Sequence, residues 1–100
     1  MIILNTTFVI ERQLHDEILS WLRDVYQRAA LQTGIFTSPR LAQILTNEDP
    51  MHISVACELR CQSLSEAVRW HDETAAMLRA DMSQRWGDRV LYFTTYLKEL

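Results

Sequence analysis

Residues 39–61, PRLAQILTNEDPMHISVACELRC, decide the fold, because they contain two strand-like segments joined by a turn. From Met51 to Cys61 apolar and polar residues alternate cleanly, the pattern of a strand with one buried face. The segment from Pro39 to Thr46 also alternates, but its inward face stays open, and a proline at its start suits an edge strand. The sequence Asn47-Glu48-Asp49-Pro50 between them is a strong turn signal. Together these segments predict a β-hairpin.

On the N-terminal side of the hairpin, a strand is followed by a helix. Residues 2–10 are rich in β-branched side chains and contain neither glycine nor proline, which is typical of a strand. From residue 15 to residue 32 the apolar period lengthens to three and four, which predicts an amphipathic helix ending before Gly34. Its expected buried stripe consists of Ile18, Leu22, Val25 and Ala29.

On the C-terminal side, a second helix leads into a last strand. Ser63-Leu-Ser-Glu66 is a capping box, which satisfies free amides at a helix start. Gly87 is a stop signal, and residues 88–97 alternate as a strand. One continuous apolar stripe is expected along the helix, formed by Leu64, Val68, His71, Ala75, Leu78 and Met82.

The resulting order, β-α-β-β-α-β, predicts one ferredoxin-like α+β domain over residues 1–100. Right-handed crossovers place both helices on one face of a four-stranded antiparallel sheet. The other face then lacks cover and is too apolar to lie entirely in water, so we expect a two-fold symmetric homodimer through it. The residues expected there are Ile3, Asn5, Thr7, Val9, His52, Ser54, Ala56, Glu58, Arg60, Val90, Tyr92, Thr94 and Tyr96.

Composition narrows the classes of protein to consider. The net charge of the 100 residues is −3, and arginines are interspersed with acids, so no basic stripe for nucleic acid is present. The apolar residues at the start are too few and too polar for a signal peptide or a membrane span. Cys57 and Cys61 would lie about 13 Å apart on a strand, too far for a disulfide. We therefore expect a cytoplasmic protein without nucleic-acid or membrane partners.

Four residues are candidates for binding a small molecule at the uncovered face: Asn5, His52, Glu58 and Tyr92. Asparagine is depleted inside strands, and a histidine beside a carboxylate can act as a general base. Packing across a dimer seam is the favoured interpretation of both. His71 falls on the apolar stripe and is expected to be half-buried. The three histidines lack metal-ligand spacing, so the sequence predicts no metal and no cofactor, and it identifies no catalytic residue.

Three segments resemble an uncharacterised bacterial family, a domain of unknown function of about 100 residues with a dimeric α/β-barrel fold. They are residues 1–8 (MIILNTTF), residues 33–37 (TGIFT) and residues 85–89 (RWGDR). The resemblance spans nearly the whole chain. It implies a fold and a dimer, but no chemistry.

The predicted fold is also similar to that of cofactor-independent monooxygenases and small haem-degrading enzymes. In the haem-degrading members, an asparagine, a tryptophan and a histidine form the site, and Asn5 and Trp70 match the first two. This sequence has Ala80 where the iron-ligating histidine would stand. The leading hypothesis is a non-catalytic interaction or ligand-binding module. The alternatives are a cofactor-independent monooxygenase or isomerase acting on a small aromatic substrate in an inter-sheet cavity, and a small-ligand sensor.

Overall fold

The computed structural model describes residues 1–46 and 49–100. The strands are β1 (Ile2–Glu11), β2 (Thr37–Asp49), β3 (His52–Cys61) and β4 (Val90–Lys98). The helices are α1 (His15–Trp21), α2 (Arg28–Gln32), α3 (Leu64–Asp72) and α4 (Thr74–Trp86). A π-helical turn, Leu22–Gln27, joins α1 to α2, and short 3₁₀ turns precede α1 and follow α4.

The four strands form one antiparallel sheet in the order β2-β3-β1-β4. This confirms the predicted ferredoxin-like arrangement, with β2 at an edge. Phe8 of β1 lies opposite Val55 of β3 and Tyr92 of β4, which fixes the register across the sheet centre. The molecule measures 37 × 30 × 18 Å. Its thin dimension corresponds to one sheet and one helical layer, so one face of the sheet has no layer over it.

Aromatic side chains fill the space between the sheet and the helices. Phe8 packs edge-on against Tyr26, with ring centroids 5.7 Å apart, and Tyr26 packs in the same way against Trp70, at 5.5 Å. Trp21 of α1 meets Trp86 of α4 at 5.8 Å. Such edge-to-face pairs add to the stabilisation from burial. The tryptophans therefore lie in the core between the helices and not at a partner surface.

The π turn shifts the buried stripe of the first helix by one residue. Beyond Leu22 we expected Val25 and Ala29 inside, but Val25 is 39% exposed, and Tyr26 and Ala30 are buried instead. A π turn takes up one more residue than an α turn, so every later side chain moves around the helix axis. The sequence prediction was wrong here because it assumed a regular α-helical period.

The second predicted helix is two helices, α3 and α4, separated at Glu73. Ser63 caps α3 as predicted, since its Oγ accepts a hydrogen bond from the Glu66 amide at 3.3 Å. The predicted stripe is confirmed in α4, where Ala75 and Met82 are buried, but it was wrong in α3, because the break changes which side chains of α3 face the sheet. Leu64 is 50% exposed. The buried side chains are Ala67, Trp70, Ala75, Met82 and Trp86.

The hairpin reverses at Pro50 and Met51, where the Asp49 Oδ1 atom accepts a hydrogen bond from the Met51 amide at 2.7 Å. The predicted turn at residues 47–50 lies partly outside the described residues. The register of β2 settles which of its faces points inward. Leu41 and Gln43 lie opposite Cys57 and Val55 and therefore share the helical side.

The face assignment of β4 is the main correction to the predicted fold. Thr94 lies opposite Thr6, with the two hydroxyl oxygens 3.1 Å apart, and Val90 lies opposite Ile10. Thr6 and Ile10 point toward the helices, so their β4 partners do as well. We had expected Val90, Tyr92, Thr94 and Tyr96 on the uncovered face. That face carries the alternate set, Leu91, Phe93, Thr95 and Leu97.

Candidate functional site

The uncovered side of the sheet, called the open face below, is the largest surface that the fold leaves without a packing layer. Its residues follow from the strand registers, because directly opposed residues in a sheet point to the same side. They are Ile3, Asn5, Thr7 and Val9; Arg40, Ala42 and Ile44; His52, Ser54, Ala56, Glu58 and Arg60; and Leu91, Phe93, Thr95 and Leu97.

The β4 side of the open face is apolar. Leu91 and Phe93 are each 59% exposed and Leu97 is 42% exposed. Leu91 lies opposite Val9, and Leu97 lies opposite Ile3. We call Ile3, Val9, Leu91, Phe93 and Leu97 the β4 patch. Large apolar side chains adjoining one another on a surface mark an interaction site more often than isolated ones do.

The β2 side of the open face is charged and carries both signs. Arg40 lies directly opposite Glu58. The Arg60 guanidinium donates to both carboxylate oxygens of Glu99 at 2.9 Å. Both contacts come from the single Nη1 atom, so this is one charge-assisted donor shared between two acceptor oxygens. Arg60 is therefore already paired, whereas Arg40 and Glu58 are only opposite in register.

Asn5 lies on the open face as predicted. Its Nδ2 atom is 3.4 Å from the Thr7 hydroxyl, a long hydrogen bond. Its Oδ1 atom is buried and accepts no hydrogen bond from the described residues. A buried carbonyl oxygen without a donor costs free energy, so this atom lowers the stability of the protomer.

His52 and Glu58 both lie on the open face, but they do not meet. They are six residues apart on β3, which separates them by roughly 20 Å. The His52 Nδ1 atom lies 3.4 Å from Asp49 Oδ2, at the end of the hairpin. The amide of Met51, and then His52, lower the pKa of the Asp49 carboxyl. The carboxylate beside this histidine is therefore Asp49, which the sequence did not single out.

Tyr92 was wrongly placed among the candidates, because it lies on the helical side of β4. Its ring is 6.2 Å from that of Phe8, and the Arg79 guanidinium sits 5.8 Å from its ring centroid. Of the four candidates, only Asn5 and Glu58 are brought together, as opposed residues of β1 and β3. Their binding of a ligand stays a prediction.

Asn5 and Trp70, the two residues that match the haem-degrading enzymes, lie on opposite sides of the sheet. Trp70 is buried on the helical side, 5.1 Å from Phe36 between ring centroids, whereas Asn5 points to the open face. The two side chains therefore cannot line one site. Among the described residues, no three His, Cys, Asp or Glu side chains are grouped as a metal site requires.

His71 is half-buried, as predicted, and Arg79 holds it in place through two hydrogen bonds. Arg79 donates from Nη1 to His71 Nδ1 at 3.0 Å and from Nη2 to the His71 carbonyl oxygen at 2.8 Å. The ring also contacts Tyr96 edge-on. Burial, and then the Arg79 charge, lower the pKa of His71. A neutral imidazole that accepts at Nδ1 fits this arrangement.

Sequence reasoning missed Tyr26, which the π turn brings into the core. Burial raises the pKa of its phenol to about 12, and the nearby Thr6 hydroxyl and Arg79 only partly oppose this. Its hydroxyl makes no hydrogen bond to the described residues. The available signal was an aromatic residue directly after the expected stripe position, Val25.

A cavity of about 300 Å³ opens where the hairpin end meets the open face. Val9, Ile44 and Leu91 give it an apolar side. The lining also includes His52, Ser54 and four charged residues that were not predicted as site residues: Arg12, Asp49, Asp88 and Arg89.

Comparison with known proteins identifies a family but no activity. The model of a family described as "Domain of unknown function (DUF4286)" matches residues 1–100. No curated protein and no solved structure matches the chain. Among the described residues, no helix is both long enough and apolar enough to cross a membrane.

Proposed function

The chain belongs to the DUF4286 family, a domain of unknown function, and we propose that it acts as a homodimeric interaction domain whose open face packs against that of a second copy. The observation that carries this proposal is the exposure of Leu91, Phe93 and Leu97 on one side of β4. Burying apolar surface provides roughly 25 cal/mol per Å², so these side chains favour association.

A second copy fits the size of the surface. A four-stranded sheet with strands of about nine residues spans roughly 30 by 19 Å, so each protomer offers about 600 Å² of flat area. Standard interfaces bury ~800 Å² per partner, and side-chain relief increases the buried area above the flat value. A two-fold arrangement presents the same patch from both copies, as isologous interfaces require.

The polar centre of the open face supports the same partner. Asn5 Oδ1 lacks a donor, and Thr7 and Thr95 flank it along and across the strands. Thr95 is exposed at this position, so its hydroxyl can meet a second copy, whereas the buried Asn5 Oδ1 atom cannot. The face combines an apolar patch with a few polar groups, which is the composition of many protein interfaces.

The oxygenase or isomerase alternative loses its main support. It required Asn5, His52, Glu58 and Tyr92 to line one inter-sheet cavity, but Tyr92 faces the helices and His52 lies far from Glu58. General acid–base chemistry needs its groups within hydrogen-bond reach of one substrate.

The two buried free cysteines favour a reducing compartment, so cytoplasmic residence remains part of the proposal.

The mass of the chain in solution tests the proposal. We expect sedimentation equilibrium to give a dimer for the unmodified chain and a monomer for Phe93→Glu, since the variant places a charge in the apolar seam. Met77→Glu is the matched control, because Met77 is 75% exposed but lies on α4, away from the open face. A monomeric unmodified chain, or equal masses for Phe93→Glu and Met77→Glu, would count against the dimer.

A further inference from the structure

We infer that the cavity at the hairpin end binds a small zwitterion with an aliphatic side chain, such as an apolar α-amino acid. The cavity shares Val9 and Leu91 with the β4 patch, but its charged residues lie at the hairpin end outside that patch, so this inference goes beyond the proposed dimer. The volume of about 300 Å³ is at the lower end of the range for small-molecule sites.

The apolar residues of the cavity favour a ligand with an aliphatic part. Val9 and Leu91 are neighbours on β1 and β4, and Ile44 lies further along the same row on β2, with Ser54 between it and Val9. Because they stand on the sheet, their positions are held by the strand ladders and not by a loop. A branched aliphatic side chain of a few carbons would replace water against them, and this is the favourable part of binding.

On the charged side of the cavity, Arg89, although ion-paired with Glu11 through Nε, and Asp88 each keep hydrogen-bonding atoms that no described residue uses. Arg12 is committed to the hairpin, because its Nε and Nη2 atoms donate to the carbonyl oxygens of Asp49, Pro50 and His52 at 3.0–3.4 Å. Arg89 donates only from Nε, to Glu11 at 3.2 Å, so its Nη groups make no hydrogen bond with residues 1–46 or 49–100. Within the same ranges, Asp88 makes neither a hydrogen bond nor an ion pair.

This balance of charges favours a ligand that carries both signs. The Nη groups of Arg89 suit a carboxylate, and the Asp88 carboxylate suits an ammonium group. A simple acid would meet Asp88 as a like charge, and a simple amine would meet Arg89 as one. Asp49 does not compete for the ammonium group on equal terms, since its Oδ1 atom already accepts from the Met51 amide.

Titration of the full chain tests this inference, with amide chemical shifts measured by NMR. The probes are leucine, isocaproate and isoamylamine, which share an aliphatic body but carry both charges, the negative charge or the positive charge. We expect saturable shifts at Ser54 and Leu91 with leucine, and affinities at least about tenfold lower for the other two, since each lacks one charged hydrogen bond. Equal affinity for either single-charge probe, or no saturable shift with leucine, would overturn the inference.

Two variants locate the site. Asp88→Asn and Arg89→Gln should each weaken leucine binding roughly tenfold or more, and Asp24→Asn, the same change on the exposed helix surface, should not. Unchanged affinity in both cavity variants would also refute the assignment. The titration is repeated on Phe93→Glu, where binding should persist because Phe93 does not line the cavity. Failure of the dimer and failure of the ligand site thus give separate results.

Discussion

Two phenylalanines on neighbouring strands show how differently the two faces of the sheet are used. Phe93 lies opposite Thr7, one register step from Phe8, yet Phe8 is 0% exposed and Phe93 is 59% exposed. The local sequences are alike in strand propensity and apolar content, so propensity does not explain the difference. What separates them is the presence of Tyr26 and the helical layer over one face only.

Polar groups do not show the same contrast between the two faces. On the helical side, the Gln27 Nε2 atom donates to the Arg40 carbonyl oxygen at 3.0 Å and contacts Cys57 Sγ at 3.5 Å. On the open side, Asn5 Oδ1 is buried without a donor among the described residues. The Tyr26 hydroxyl and the indole nitrogens of Trp21 and Trp70, all on the helical side, also lack a partner among the described residues, so unsatisfied polar atoms do not separate the two faces.

The largest expected effect comes from truncating the two phenylalanines. Phe8→Ala should lower the free energy of unfolding by about 3–5 kcal/mol, because it leaves a cavity in the core. Phe93→Ala, measured by urea denaturation at a concentration where the chain is monomeric, should cost less than about 1 kcal/mol. Similar losses for both variants would show that the faces are not as different as their burial indicates.

A smaller effect is expected at the contact between the π turn and the edge strand. Gln27→Met keeps the volume of the side chain but removes its donor to the Arg40 carbonyl oxygen. We expect the free energy of unfolding to fall by about 1–2 kcal/mol. Gln32→Met, at an exposed position of α2, serves as the control in the same denaturation series. A loss no greater than the control's would mean that this hydrogen bond does not hold β2 against the helices.

The smallest expected effect is a pH dependence of the free energy of unfolding, caused by His71 at the edge of the helical side. The pKa of His71 is lowered from its ordinary value of 6.5 by burial and by Arg79. The unfolded chain therefore binds a proton more readily, so the free energy of unfolding should fall as the pH drops below 6.5 and level off below the folded pKa.

His71→Gln should flatten this part of the pH profile, while His15→Gln, at a side chain that is 40% exposed, should leave it in place. Chemical denaturation across the same pH range checks both variants. If the His71→Gln profile keeps the full slope, another group is responsible for it.

The order of strands and helices was predictable because the spacing of the apolar residues and the residues typical of caps and turns indicate the same elements along the chain. Alternation in β1 and β3, the Ser63 cap and Gly87 each correspond to a feature of the structure. Gly87 adopts φ +57°, which a glycine allows without strain. These signals act within a few residues, so one sequence is enough to interpret them.

The composition of the open face was not predictable, because both sides of β4 are apolar. Leu91 and Phe93 look like better core residues than Tyr92, so hydrophobicity favours the wrong face. The register with β1, fixed by contacts distant in sequence such as Thr6 with Thr94, decides the matter. An edge strand apolar on both sides is what a further interface would require. The error and the proposed function thus have the same origin.

The most direct test is a half-filtered NOE experiment on a mixture of isotope-labelled and unlabelled chains. The account predicts NOEs between protomers that involve the Leu91 and Leu97 methyl groups and the Phe93 ring. NOEs between protomers only at the helical surface, for example at Met77, or none at a concentration where the chain is dimeric by mass, would contradict it.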